Sequence, residues 1–271
     1  MPAPEPIYTA ANCKSAYQLN WSLAVFWLSA PPPESAWLDE LRAATEADGV
    51  RVLEHFSPRA GVSQFLISTR PETAPPAAVR SIKGRLQHLV RKRLPKAFHR
   101  NYGLRSLGSV NCDTVRQYIE AQTAHHRMAD ARVQAGIEEL EIRGEYDRLT
   151  APRTSAHAQY CYNLHVVLVS CRRDVEIRGN VLKRRRSMIV AAADKKGHLM
   201  GNGQILADHI HLALGCGLDE APGDVAMSYL NNLAFAEGMR PVYEFGFYVG
   251  TFGEYDLGAI SQRQEARCDI G

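Results

Sequence analysis

Tyr17-Gln-Leu-Asn-Trp-Ser-Leu23 and Tyr162-Asn-Leu-His-Val-Val-Leu168 are two apolar-rich runs of strand character, set 145 residues apart in a chain of 271. The same offset recurs downstream, where Tyr102-Gly-Leu-Arg-Ser-Leu-Gly108 aligns with Phe247-Tyr-Val-Gly-Thr-Phe-Gly253 on an aromatic start and a closing glycine. Between these markers Phe65-Leu-Ile-Ser68 aligns with Leu212-Ala-Leu-Gly215 at an offset of 147, a drift that a loop insertion absorbs. An element order repeated at a nearly fixed spacing is the signature of an internal duplication.

Working outward from the first run, copy one reads as a strand near residues 17 to 28, a helix from about Glu34 to Asp48 after Pro31-Pro32-Pro33, and strands at about 50 to 56 and 62 to 69. A helix from about Ala77 to Arg93 follows, with Val79, Ile82, Leu86, Leu89 and Val90 as an apolar stripe opposite a basic face. A strand at 102 to 107 and a helix from Asp113 close the unit, with Asn111 or Asp113 able to accept the free N–H groups at the helix start. This order predicts an α+β fold, with two tandem ferredoxin-like (split βαβ) domains. The charge-dense stretch AHHRMADARVQAGIEELEIRGEYD reads as an exposed helical connector running to about residue 146, with the boundary between Thr150 and Ala158. The expected domains are therefore 1–128, a connector at 129–158, and 159–271.

Hydrophobic content of 45% and charged content of 23% suit folded, soluble domains. No apolar run approaches the ~18 residues of a membrane span, and MPAPEPIYTAANCK lacks the layout of a signal peptide, so no membrane partner and a cytoplasmic location are expected. Cys13, Cys112, Cys161, Cys171, Cys216 and Cys268 are scattered, without zinc-ribbon spacing, as reduced thiols would be. The net charge of +3 is mild, but its distribution is not. Arg80, Lys83, Arg85, Arg91, Lys92, Arg93, Lys96 and Arg100 fall in one stretch without an acid, and Lys183, Arg184, Arg185 and Arg186 form a second cluster. Such clusters suit phosphate backbones; they equally suit solvated helix faces.

Two short motifs carry the chemistry. In His209-Ile-His-Leu-Ala-Leu-Gly215 alternate side chains share a face, so His209 and His211 project together while Ile210, Leu212 and Leu214 point to the other side. Two such imidazoles can hold a divalent metal if a further ligand joins them, or can be a hydrogen-bonded pair. In Tyr118-Ile-Glu-Ala-Gln122 the phenol and the amide are one helical turn apart. A phenol titrates near pH ~10 and is a poor nucleophile at neutrality unless the phosphate it attacks is polarised by a metal. In that role Tyr118 supplies the nucleophile and Gln122 a neutral oxygen ligand; the structural alternative is ordinary helix packing.

Together the motifs resemble the HUH-type single-tyrosine transposases of small insertion sequences and their REP-associated relatives. The resemblance extends to Phe65-Leu-Ile-Ser68, Ala78-Val-Arg-Ser-Ile-Lys-Gly-Arg85, Tyr102 to Gly108 and Val115-Arg-Gln-Tyr-Ile-Glu-Ala-Gln122, in family order, and more faintly to copy two. Each copy departs from the pattern in a complementary way. Copy one has Val62-Ser-Gln64 where the histidine pair belongs, and copy two has Arg263 and Arg267 where the tyrosine and glutamine belong. In family homodimers the tyrosine helix of one subunit serves the histidines of the other. The resemblance thus implies a dimer fused into one chain, an intramolecular pseudo-dimer expected to be monomeric. It would keep one composite site of Tyr118, Gln122, His209 and His211, and one degenerate site.

The resemblance further implies Mg²⁺ or Mn²⁺ as cofactor and single-stranded DNA, with a hairpin, as partner. The implied activity is nicking and rejoining through a 5′-phosphotyrosine. Arg80, Lys83, Arg85, Arg91, Lys92, Lys183, Arg184 and Arg185 are the candidate DNA contacts. A catalytically silent, hairpin-binding descendant is the alternative, and a metal-dependent hydrolase using only the histidine pair is a third reading.

Overall fold

The computed structural model describes residues 5–257. From β1 (Lys14–Gln18) the chain continues as β2 (Asn20–Trp27), α1 (Leu38–Glu46), β3 (Val50–Arg59), β4 (Val62–Thr69), α2 (Pro75–Val90), β5 (Phe98–Leu107) and α3 (Cys112–His125). A connecting segment holds α4 (Ala131–Glu138), β6 (Ile142–Arg143), α5 (Asp147–Thr150) and β7 (Arg153–Thr154). The second copy is β8 (Ala158–Cys161), β9 (Asn163–Val169), α6 (Gly179–Lys196), β10 (Leu199–Ile205), β11 (His209–Gly215), α7 (Pro222–Ala236) and β12 (Gly246–Phe252). No helix among the described residues is long and apolar enough to cross a membrane.

The four principal strands of each copy lie in the same order, β3-β4-β2-β5 in one sheet and β10-β11-β9-β12 in the other. All the pairings within these sets are antiparallel, so each strand-helix-strand unit is split by a third strand, the ferredoxin-like arrangement. The fold is α+β, as the element order predicts. One face of each sheet is sealed by two helices. In β2, Trp21, Leu23, Val25 and Trp27 alternate inward to meet Leu41 of α1 and Val79, Ile82 and Leu86 of α2. In the second copy Leu164, Val166 and Leu168 of β9 and Ile210, Leu212 and Leu214 of β11 meet Ile189 of α6 and Tyr229, Leu230 and Leu233 of α7. Both α2 and α7 open on a proline in the first turn, where its missing N–H is harmless.

The two copies exchange strands. β1 pairs in parallel with β12 of the second sheet, and β8 pairs in parallel with β5 of the first. Each extended run therefore begins in one sheet and ends in the other, crossing at buried Leu19 and Tyr162. There Trp21 meets the edge of the Tyr162 ring at 5.0 Å. Hydrogen bonds at the crossing come in matched pairs. Ser106 Oγ accepts from the Asn163 N–H at 2.9 Å and donates to the Phe252 carbonyl at 2.6 Å. Thr251 Oγ1 accepts from the Asn20 N–H at 2.7 Å and donates to the Leu107 carbonyl at 2.5 Å. Isolated bridges join Gly108 to Asp256 and Asn111 to Gly253, again related by the internal repeat. The glycines that close the aligned runs owe their identity to this crossing, since a Cβ on Gly108 would meet the Thr251 carbonyl and one on Gly253 the Ser106 carbonyl.

Two expectations need correcting here. The connector is not one long helix. α3 ends at His125, and the Asp130 carboxylate accepts from the Arg132 N–H to cap a separate short helix. A short strand, β6, then adds to the edge of β10. The 34–48 region is likewise a 3-10 turn over Glu34–Ala36 followed by α1.

Candidate active site at the junction of the copies

α3 begins at Asn111, whose side chain accepts the Thr114 N–H at 3.0 Å, one of the two capping residues the sequence offered. It leaves its own copy and lies on the open face of the second sheet. Cys112, Val115 and Ile119 fall on one side of the helix and pack with Ala213 of β11, Phe252 of β12, and Tyr146 and Leu149 of the connector. This small apolar cluster, separate from the main core, holds the helix across the copies. Burying the Ile119 side chain alone contributes on the order of 2 kcal/mol to that docking.

Docked in this way, Tyr118 and Gln122 line the same cleft as His209 and His211, a space of about 590 Å³. The Tyr118 ring stands edge-on to His211 at 5.6 Å and to His165 at 5.9 Å, and His209 and His211 are 5.0 Å apart. Tyr118 remains 49% exposed, open to a ligand entering the cleft. Gln122 is buried, and its amide nitrogen donates to the Tyr118 carbonyl at 3.0 Å, leaving the oxygen as the atom of that amide available to a ligand.

The imidazoles are held neutral and oriented. Burial, reinforced by neighbouring histidines, drives His211 down to about 2. Burial also pushes His165 down to about 4 and lowers His209 against the opposing pull of Asp208. His209 Nδ1 bonds the Asp208 carboxylate at 2.6 Å, and His211 Nδ1 bonds His165 Nε2 at 3.0 Å. Those bonds leave the Nε2 atoms of both rings for a ligand, the orientation that outer partners impose on metal-binding histidines. Among the described residues no three His, Cys, Asp or Glu side chains converge as a ready metal cage. A divalent ion here depends on Gln122 joining His209 and His211, and two neutral imidazoles with an amide oxygen are a chemically suitable donor set.

Several residues of the cleft were not singled out from the sequence. His165, Tyr248 and Arg173 line it, as does His126, whose ring is 4.7 Å from His209. His126 had a readable signal, since 118, 122 and 126 form one helical stripe. Asp208 had another, as the acid directly before the histidine pair. His165 lies within the quoted strand run, but only its diagonal position across β9 and β11 joins it to His211.

At the repeat-related position of the other sheet, Val62 pairs with Phe26 and Gln64 with Ala24, as His209 pairs with Val169 and His211 with Val167. Val62 is buried, and Gln64 Nε2 donates to Ser22 Oγ at 2.6 Å. Arg263 and Arg267 lie outside the described residues.

The candidate DNA contacts divide. Arg80, Arg91 and Lys92 are exposed on and just after α2. Lys83 donates to the His99 and Arg100 carbonyls at 2.7 and 3.0 Å, and Arg85 is bound to Asp48 at 2.8 Å. In the second cluster Lys183 is exposed, with Glu139 at 3.9 Å, while Arg184 pairs with Glu237 at 3.0 Å. Arg185 does not face solvent. It is 5% exposed, pairs with Glu237 at 3.2 Å and stacks over Tyr243 at 5.5 Å, because it falls between Leu182 and Ile189 on the inward stripe of α6.

The molecule thus holds two ferredoxin-like units in tandem, with a histidine-rich cleft at their junction. It resembles the HUH-type single-tyrosine transposases: the family model described as Transposase IS200 like matches residues 43–122, a stretch that contains both Tyr118 and Gln122. A search of curated proteins finds no match. Among solved structures, a candidate transposase from Deinococcus radiodurans R1 is similar at 17% identity and a TM-score of 0.31, over 40% of this chain and 92% of that one. A REP-associated tyrosine transposase bound to a REP hairpin is similar at 9% identity and a TM-score of 0.31, over 38% of this chain and 61% of that one. A protein of unknown function from Galdieria sulphuraria is similar at 12% identity and a TM-score of 0.21, over 86% and 97%.

Proposed function

We propose that this protein nicks and rejoins single-stranded DNA at one composite, metal-dependent site, through a 5′-phosphotyrosine intermediate on Tyr118. The family-model match over residues 43–122 supports a transposase-like, DNA-processing activity. The observation that carries the finer reading is the docking of α3 on the opposite copy, which puts Tyr118 and Gln122 in one cleft with His209 and His211.

His209, His211 and Gln122 would hold a divalent ion, Mg²⁺ or Mn²⁺, which supplies Lewis-acid polarisation of the scissile phosphate. Asp208, as an acceptor, keeps the proton of His209 on Nδ1 and frees its Nε2, and His165 holds the orientation of the His211 ring. Tyr118 attacks phosphorus, its hydroxyl proton passing to solvent. The P–O3′ bond breaks and the departing oxygen takes up a proton as a free 3′-hydroxyl. The phosphodiester energy is conserved in the covalent link, so rejoining needs no nucleotide cofactor. The exposed cations Arg80, Arg91, Lys92 and Lys183 are suited to the backbone of a bound hairpin. One chain contains the whole site, so a monomer suffices.

Incubation with labelled single-stranded DNA and Mn²⁺ tests this: an SDS-stable adduct should form with the wild-type chain and disappear in Tyr118→Phe. A Tyr118-independent adduct, or strand cleavage without any adduct, contradicts the mechanism. Hairpin binding without cleavage would instead favour a silent DNA-binding descendant, a reading that draws on the exposed basic residues of α2.

A further inference from the structure

Phosphoryl transfer to a tyrosine builds negative charge on the non-bridging oxygens, and preorganised cations at that point are among the strongest contributors to such catalysis. Among the described residues lining the cleft, Arg173 is the one Arg, Lys, Asp or Glu side chain. It stands in the loop that follows β9 and lies at the cleft rim. Its side chain is 63% exposed, and one terminal nitrogen reaches Asp208 at 3.2 Å, leaving most of the guanidinium fork uncommitted. Asp208 is the residue that orients His209.

The loop itself is built to present this residue. Arg172 and Arg173 both adopt left-handed backbone, at φ 54 and 58, a conformation that side chains with a Cβ disfavour and that persists where surrounding contacts over-determine it. Those contacts are present. The Ser170 N–H donates to the Asp208 carbonyl at 2.7 Å, the Cys171 N–H to the Val242 carbonyl at 3.0 Å, the Arg172 N–H to the Glu244 carboxylate at 2.6 Å and the Glu176 N–H to the Ala207 carbonyl at 2.8 Å. A glycine would fit the turn with less strain, so the arginine side chain is what the strained position retains.

We propose that Arg173 contacts the scissile phosphate and stabilises the charge that develops as Tyr118 attacks, making it a catalytic residue of the composite site. This rests on the reading of that site as a tyrosine nuclease. It requires no new reactant, since the guanidinium only donates hydrogen bonds while the Tyr118 oxygen–phosphorus bond forms and the P–O3′ bond breaks.

Two measurements test it. In the first, Arg173→Gly, which suits the left-handed turn, should slow adduct formation at saturating Mn²⁺ by about 10²-fold while Mn²⁺ affinity stays within about twofold, and Arg173→Lys should recover part of the rate. A rate within about threefold of wild type overturns the proposal. So does a rate loss matched by lost Mn²⁺ affinity, which would make Arg173 a positioning residue acting on His209 through Asp208. In the second, the salt dependence of binding a short single-stranded oligonucleotide is compared in metal-free Tyr118→Phe protein with and without Arg173→Gly. The log–log slope should fall by about 0.7, the release expected for one single-strand phosphate contact, and an unchanged slope overturns the proposal. If wild-type protein forms no Tyr118-dependent adduct, the nuclease reading fails, while this slope still decides whether Arg173 holds a phosphate.

Discussion

The two sheets present the same diagonal pair of side chains on the face away from their own helices, and the chemistry of the pair differs. In the second sheet His211 and His165 meet at 3.0 Å; at the repeat-related place in the first, Gln64 and Ser22 meet at 2.6 Å. Each pair closes one hydrogen bond across its sheet. Only the histidine pair leaves ring nitrogens suited to a metal, and only that face is covered, among the described residues, by a helix bearing a tyrosine. On the proposed reading, the difference teaches that a duplicated site can lose its chemistry while keeping a hydrogen bond at the same place in the sheet.

Making the histidine-bearing sheet resemble the other should have the largest effect. His209→Val and His211→Gln, each copying the residue found at the equivalent place, are expected to abolish Mn²⁺-dependent adduct formation while leaving the circular dichroism spectrum unchanged; residual activity within about tenfold of wild type would break the comparison. Next in size is undocking of the tyrosine helix. Ile119→Ala removes the centre of the apolar cluster that holds α3 and should cost about 2–4 kcal/mol in urea unfolding, or, if only the helix releases, should lower adduct yield with little change in midpoint. His165→Phe should weaken Mn²⁺ binding by about 10–100-fold, measured by titration calorimetry, because His211 loses the partner of its Nδ1.

The acid dependence of stability sharpens the comparison further. His211 and His165, pushed down to about 2 and about 4, stay neutral in the folded chain where the unfolded chain takes up protons near the ordinary value of 6.5. The unfolded state therefore binds more protons below that pH, and stability of the metal-free protein should fall as pH drops from 6.5 towards 4. In His211→Gln the fall should be shallower, as judged by Tm at stepped pH. The smallest effect tests the symmetry itself: Ser106→Ala and Thr251→Ala remove matched hydroxyls at the crossing and should each cost about 1 kcal/mol, by similar amounts.

Much of this was legible in the chain. The recurring aromatic and glycine markers carried the element order of both copies, but the first pair of runs is out of register at an offset of 145. Asn163, which faces Phe252, is the equivalent of Asn20, which faces Leu107, and not of Gln18. The stripe Val79, Ile82, Leu86 and Val90 located α2 within a few residues. Period-two alternation in 209–215 assigned the histidines to one face and Ile210, Leu212 and Leu214 to the other. What escaped was non-local. Nothing in residues 14–18 marks them as a strand of the opposite sheet, because edge pairing is chosen by the partner copy. Arg185 belongs to a basic cluster by sequence but lies on the inward stripe of α6, where Glu237 and Tyr243 satisfy its charge. Arg173 carried no pattern at all, since its place at the cleft depends on a left-handed turn that no residue preference announces.

The central claim is that one chain holds one live site built from both copies. Mass spectrometric mapping of the DNA adduct, in wild-type protein and in a mixture of Tyr118→Phe with His211→Gln chains, tests it most directly. One adduct per chain on Tyr118, with none regained on mixing, is the predicted result. An adduct on another residue, or activity restored by mixing the two variants, would contradict it.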